Sequence, residues 1–118
     1  HFDDAIYVRE FYSKGENLHG IKWCVEARVR AKELDNISLV MDFGVIKKHL
    51  NDVLDLIDHQ YLNDCPAFKT DNPTSENIAL FIFNNLAPLI KEASGVRAWL
   101  HSVSAWESEN ACATYMVD

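Results

Sequence analysis

The side chains best suited to chemistry in this sequence fall in a few short places. His19-Gly20-Ile21 carries one imidazole. Histidines spaced i, i+2 on a strand point to one face and form a natural pair of metal ligands, and catalytic zinc needs about three protein ligands plus an open position. Here the second position of that spacing is Ile21, so His19 stands alone, and one imidazole does not hold zinc against water. Asp58-His59 sets a carboxylate beside an imidazole, a pairing that can orient a ring and pass a proton; by itself it reads as a solvated helix end. The three cysteines, Cys24, Cys65 and Cys112, are odd in number and far apart, with no Cys-x-x-Cys spacing. They point to neither a disulfide framework nor a zinc knuckle and favour a reducing cytoplasm. Cys24 falls on the opposite strand face from His19 and reads as a half-buried structural thiol. His49 and His101 read as ordinary helix and strand residues, Glu107 as a strand-end charge, and Thr74 and Ser75 as helix-capping oxygens.

The elements that must position these residues follow from periodicity. From Ile21 to Lys32 apolar side chains occupy the odd positions and polar ones the even, apart from Cys24, which predicts a half-buried strand. Phe2 to Arg9 is a shorter strand-like run, with Ser13 to Asn17 as the turn between the two. A short apolar piece, Ile37 to Met41, precedes Asp42, a helix cap. Helical spacing then runs from Phe43 to about Ile57. Asp58 to Pro66 loses that period and reads as loop. Asn72-Pro73-Thr74-Ser75-Glu76-Asn77 is a helix start, the helix reaches about Ala93, and Gly95 ends it. Val96 to Glu107 and Ala111 to Val117 are the last two strands, with Ser108-Glu109-Asn110 as a hairpin turn. The order β-β-α-α-β-β predicts an α+β fold, a four-stranded, mainly antiparallel sheet with two helices on one face. Its exposed edges predict joining of sheets between copies, a homo-oligomer.

At 118 residues, with 48% hydrophobic and 25% charged residues, the chain reads as a single domain over 1–118 with no membrane span. Nothing in His1-Phe2-Asp3 reads as a targeting peptide, which again favours the cytoplasm. A net charge of −7, with no basic cluster beyond Lys47-Lys48, argues against nucleic acid as a partner.

Six stretches, taken in order, resemble one family. They are Phe2-Asp3-Asp4-Ala5-Ile6, similar to Phe-x-Ala-Ala-His; Lys14-Gly15-Glu16-Asn17-Leu18-His19-Gly20-Ile21-Lys22-Trp23, similar to Lys-Cys-x-x-Leu-His-Gly-His-Asn-Tyr/Trp; Val40-Met41-Asp42-Phe43; Ile57 to Asn63; Asn72 to Asn77; and Trp106-Glu107-Ser108. Together they resemble the 6-pyruvoyl- and 6-carboxytetrahydropterin synthases over nearly the whole chain. The resemblance implies the tunnelling fold, in which such units join their sheets into barrels, commonly a dimer of trimers. It implies a reduced pterin bound at a subunit interface, zinc polarising the pterin side chain, and a cysteine moving protons as triphosphate is eliminated.

Three family positions are changed. Ile6 and Ile21 stand where the family has zinc-binding histidines, which leaves His19 as the surviving ligand position, and Gly15 stands where it has the cysteine. Glu16 is the nearest replacement base, and Asp4 the nearest carboxylate that could serve as a new ligand. The resemblance gives Asp58 and His59 a catalytic role, and Glu107 a pair of hydrogen bonds from the amino-pyrimidine edge of the pterin. It places Thr74 and Ser75 near the same ring. The expected function is reduced-pterin binding without the zinc-dependent lyase reaction, with no cofactor unless new ligands take up zinc. The alternatives are a metal-independent aldolase-like enzyme using Lys14 or Lys22, an active zinc synthase, and a non-catalytic interaction subunit.

Overall fold

The computed structural model describes residues 2–14, 20–60, 62–68 and 74–117, without the side chains of residues 63 and 67. Strand β1 (Asp3–Lys14) pairs antiparallel with β2 (Gly20–Ala31). Helices α1 (Phe43–Leu54) and α2 (Ser75–Ala93) follow, with two single 3₁₀ turns between them. β3 (Ala98–Ser108) and β4 (Ala111–Met116) complete an antiparallel sheet of order β1-β2-β3-β4. The predicted fold class is therefore the one observed.

The period-two pattern explains the sheet's two faces. On one side Phe11, Trp23, Val25, Ala27, Val29, Val103 and Ala105 are buried in the core with Ile46, Leu50 and Leu54 of α1 and Ile78, Ile82, Leu86 and Ile90 of α2. Trp23 stacks on Phe11 at 6.1 Å and its Nε1 donates to Ser13 Oγ at 2.9 Å, which satisfies the one polar atom of a buried indole. The other side has no helix over it. No helix among the described residues is long and apolar enough to cross a membrane.

Both helix starts use the predicted caps. Asp42 Oδ1 accepts from the Gly44 amide at 2.7 Å, and Thr74 Oγ1 accepts from the Asn77 amide at 3.2 Å. Several boundaries differ from expectation for tertiary reasons. β1 continues five residues past Arg9 because Phe11 and Ser13 bury on its inner face, so Ser13 and Lys14 belong to the strand and not to a turn. α1 ends at Leu54. Ile37 to Met41 is a turn region organised by Asp35, whose Oδ1 accepts from the amides of Ile37 and Leu39, and by Arg97, which donates to the carbonyls of Glu33 and Val40. β3 begins at Ala98 because Gly95 and Val96 both take left-handed backbone, φ 62° and 61°, to turn the chain out of α2. Ser108 pairs with Ala111, which leaves Glu109-Asn110 as the turn.

Candidate functional site

Two groups of polar side chains gather at the end of the sheet where β1 finishes and β2 begins. The first is Asp58-His59. After α1 the chain returns along the outer edge of β1: the His59 amide donates to the Tyr12 carbonyl at 2.5 Å and the Lys14 amide to the Gln60 carbonyl at 2.9 Å. Asp58 Oδ1 accepts from the Tyr12 amide at 3.1 Å, and Oδ2 lies 3.5 Å from Arg9 Nη2. The Asp58 side chain is largely covered, whereas that of His59 is 74% exposed. His59 Nε2 is 3.6 Å from Asp58 Oδ1, and its ring lies nearly parallel to that of Tyr12 at 6.1 Å. His59 also holds left-handed backbone, φ 59°, a conformation that costs a non-glycine residue energy and is met most often at functional positions. The arrangement fixes a carboxylate and presents an imidazole to solvent. Arg9 and Tyr12, which hold the pair, were not predicted. The alternation that continues through Phe11 and Ser13 is the signal that would have extended β1 to include Tyr12.

The second group surrounds Glu107. Trp106 pairs with Cys112 and Ser108 with Ala111, so Glu107 is an additional residue on β3, a β-bulge that turns its carboxylate onto the rim of the helix-free face. It borders an open depression of about 580 Å³ together with Trp106 and Ser108 of β3, Glu10 of β1, and Lys22 and Cys24 of β2. Lys22 Nζ lies 2.6 Å from Glu10 Oε2; this bond, followed by the charge of Glu10, raises the lysine's pKa. Burial, with Glu10 second, raises that of the Cys24 thiol. At neutral pH the depression therefore offers an ammonium and a thiol, neither of them a ready base or nucleophile.

Thr74 and Ser75 approach the same end from behind the sheet. The connection from α2 to β3 is short, so the two run antiparallel, and Phe83 of α2 packs on Tyr115 at 4.8 Å, level with Val103. The start of α2 then lies near the end of β3. Thr74 is engaged as the cap and Ser75 is buried.

A family model described as 6-pyruvoyl tetrahydropterin synthase matches residues 1–118. The chain belongs to this family. Its sequence is 34% identical over 119 residues to the 6-carboxy-5,6,7,8-tetrahydropterin synthase of Synechocystis, covering 97% of this chain and 86% of the relative. It is 30% identical over 119 residues to the 6-pyruvoyl tetrahydrobiopterin synthase of Dictyostelium discoideum, covering 97% and 84%. Among solved structures, the Caenorhabditis elegans 6-pyruvoyl tetrahydropterin synthase superposes with a TM-score of 0.85 at 24% identity, covering 99% of this chain and 96% of that one. The Plasmodium vivax 6-pyruvoyl tetrahydropterin synthase superposes with a TM-score of 0.80 at 18% identity, covering 100% and 99%. These two likenesses establish the shared fold.

Members of this tetrahydropterin synthase family are expected to hold zinc, and the geometry around the substituted positions can be compared with that need. His19, Gly15 and Glu16 lie outside the described residues. Ile21 pairs with Ser13 and packs against the core on the helix side, while Ile6 pairs with Arg28 and is 40% exposed on the open side. The two are on opposite faces and seven register steps apart, so no single metal could be shared by side chains at both. A ligand on β1 facing position 21 would have to stand at Ser13, whose hydroxyl already serves Trp23. Asp4, offered as a new ligand, is instead bound by Arg28 and Arg30. Among the described residues no group of three or more His, Cys, Asp or Glu side chains could hold a metal ion. The donors present do not fit a zinc centre, and no step is routed through one.

Asp58-His59 and Glu107 share an end of the sheet but are separated by β1 and β2. At 4.7–4.9 Å per strand the separation is ~14 Å. They cannot grip one small ring from within a single chain.

Proposed function

We propose that this chain binds a reduced pterin in the depression beside Glu107, without the zinc-dependent lyase reaction, in a homo-oligomer that brings Asp58-His59 of a neighbouring copy to the same ring. The observation that carries the reading is the bulge that turns the Glu107 carboxylate out beside Trp106. A carboxylate accepts two parallel hydrogen bonds from an amino-pyrimidine edge, and an indole offers a face for stacking. Ile21 in the core and the commitment of Asp4 to two arginines support the absence of zinc chemistry. The raised pKa of Lys22 speaks against its serving as the lysine of an aldolase-like reaction.

The oligomer rests on the edges and on the open face. Segment 58–60 covers the outer edge of β1 at Tyr12 and Lys14, but no strand lies beside Asp4 to Glu10, and β4 is the opposite edge. Ile6, Val8, Tyr12 and Met116 expose apolar surface on the helix-free side. Joined sheets would cover both, and a trimer or hexamer would close the ~14 Å gap between the two groups by supplying each from a different copy. A cytoplasmic location belongs to the same reading, since all three cysteines are free thiols.

The test is calorimetric titration of the assembled protein with 7,8-dihydroneopterin. Saturable binding is expected, weakened about tenfold or more in Glu107→Ala, the usual loss for hydrogen bonds to a charged group. Absence of saturable binding, or equal affinity in the variant, refutes the reading; stoichiometric zinc in the purified protein refutes its metal-free part.

A further inference from the structure

Across the middle of the helix-free face, away from the Glu107 depression, lies a smaller polar hollow that the pterin reading does not use. It originates in another bulge of β3. Arg28 pairs with Ser102 and Val29 with Leu100, so His101 is the additional residue. A bulge turns neighbouring side chains to the same side, and His101 and Ser102 both line this hollow of about 330 Å³. Ser104 of β3 and Thr114 of β4 extend its floor, their hydroxyls 2.7 Å apart. Arg28 and Arg30 of β2 form its wall.

Two features distinguish the hollow from an ordinary patch of strand surface. His101 is only 9% exposed, and its Nδ1 is buried without a hydrogen-bond partner among the described residues. Native folds rarely leave such an atom bare unless something else completes it. The guanidinium groups, moreover, are set in place in advance. Arg30 donates through Nε and Nη2 to Asp4 at 2.7 and 3.0 Å, Arg28 donates through Nη1 to the same carboxylate at 3.1 Å, and Arg28 Nη2 lies 3.5 Å from Glu26. Nothing further need be ordered when a ligand arrives.

The charges decide what that ligand is. Asp4 and Glu26 offset Arg28 and Arg30, so the hollow is neutral while His101 is neutral and carries one positive charge when it is protonated. Those four groups, from β1 and β2, are the charged ones around His101; β4 contributes Thr114 and Met116, and the helices lie on the other face. We infer that the hollow binds a small singly charged oxyanion, a carboxylate or a monobasic phosphate group, together with one proton on His101. The imidazolium Nδ1–H then donates to the anion, and the hydroxyls of Ser102 and of the Ser104–Thr114 pair supply further donors. Deprotonation removes both the charge and the donor, so binding weakens as pH rises.

The test follows the His101 imidazole by NMR in the assembled protein, assigned by its loss in His101→Gln. Acetate, which stays singly charged, is titrated against chloride at equal ionic strength; a second arm uses inorganic phosphate. The expected result is a saturable shift confined to His101. Acetate binding should be about tenfold weaker near pH ~8 than near pH ~6. Ser102→Ala and Ser104→Ala, which keep the reporting imidazole, should each weaken it roughly fivefold. Saturation by acetate alone or by phosphate alone supports the site and identifies the head group. Saturation by neither, an equal shift with chloride, or indifference to both serine substitutions overturns it.

Discussion

Replacing Asp4 by Asn removes the acceptor that ties two arginines to the edge strand. Arg30 donates to it twice and Arg28 once, at 2.7–3.1 Å. The Arg30 hydrogen bond, assisted by that of Arg28 and opposed by desolvation, lowers the carboxyl from its ordinary 3.8 to about 2. Counted in full, that shift corresponds to about 2.4 kcal/mol of native-state stabilisation. The side chain keeps 21% of its surface and the residue as a whole is exposed, so solvent screening reduces the expected contribution to about 1 kcal/mol. Because the folded-state value is the lower one, the stabilisation is complete above the unfolded-state value of 3.8. It declines as pH falls and disappears below about 2. Denaturant unfolding of the wild type and Asp4→Asn over a pH series measures this directly. The variant should be less stable by about 1 kcal/mol at neutral pH, less so in high salt, and the gap should close between 3.8 and about 2. A gap of constant size down to the lowest pH, or none at neutral pH, would refute the assignment.

Val96 is β-branched, 68% exposed and held at φ 61°, so Val96→Gly should raise stability by about 1 kcal/mol, read as an increase in Tm; an unchanged or lower Tm contradicts the strain. Ser13→Ala leaves the buried Trp23 Nε1 without its acceptor and should cost about 1–3 kcal/mol in chemical denaturation, and full stability would show that the indole finds another partner. Thr74→Ala should cost about 1 kcal/mol through loss of the α2 cap, with Thr74→Ser retaining most of it. If pterin affinity falls in Thr74→Ala while stability does not, the hydroxyl belongs to the ligand and not to the helix.

What could be read from the sequence was local. The alternation from Ile21 to Lys32 identifies β2 and its buried face, and Asp42 and Thr74 mark helix starts, because strand pleat and capping involve residues only a few positions apart. The ordered motifs also carried the family, since they recur as short strings in fixed order. The length of β1 was decided by tertiary contact: Phe11 and Ser13 extend it only because Trp23 lies across from them, and Asp58-His59 becomes structured only because Tyr12 offers an edge. The placement of Ile6 away from Ile21 is likewise a matter of register, which no single strand contains. Most clearly, the bulges that bring His101 and Glu107 to the helix-free face exist only relative to the partner strands, two residues standing where β2 or β4 presents one. A bulge is a mismatch between two strands, so the composition of β3 by itself could name its polar residues but not the face on which they would meet a ligand.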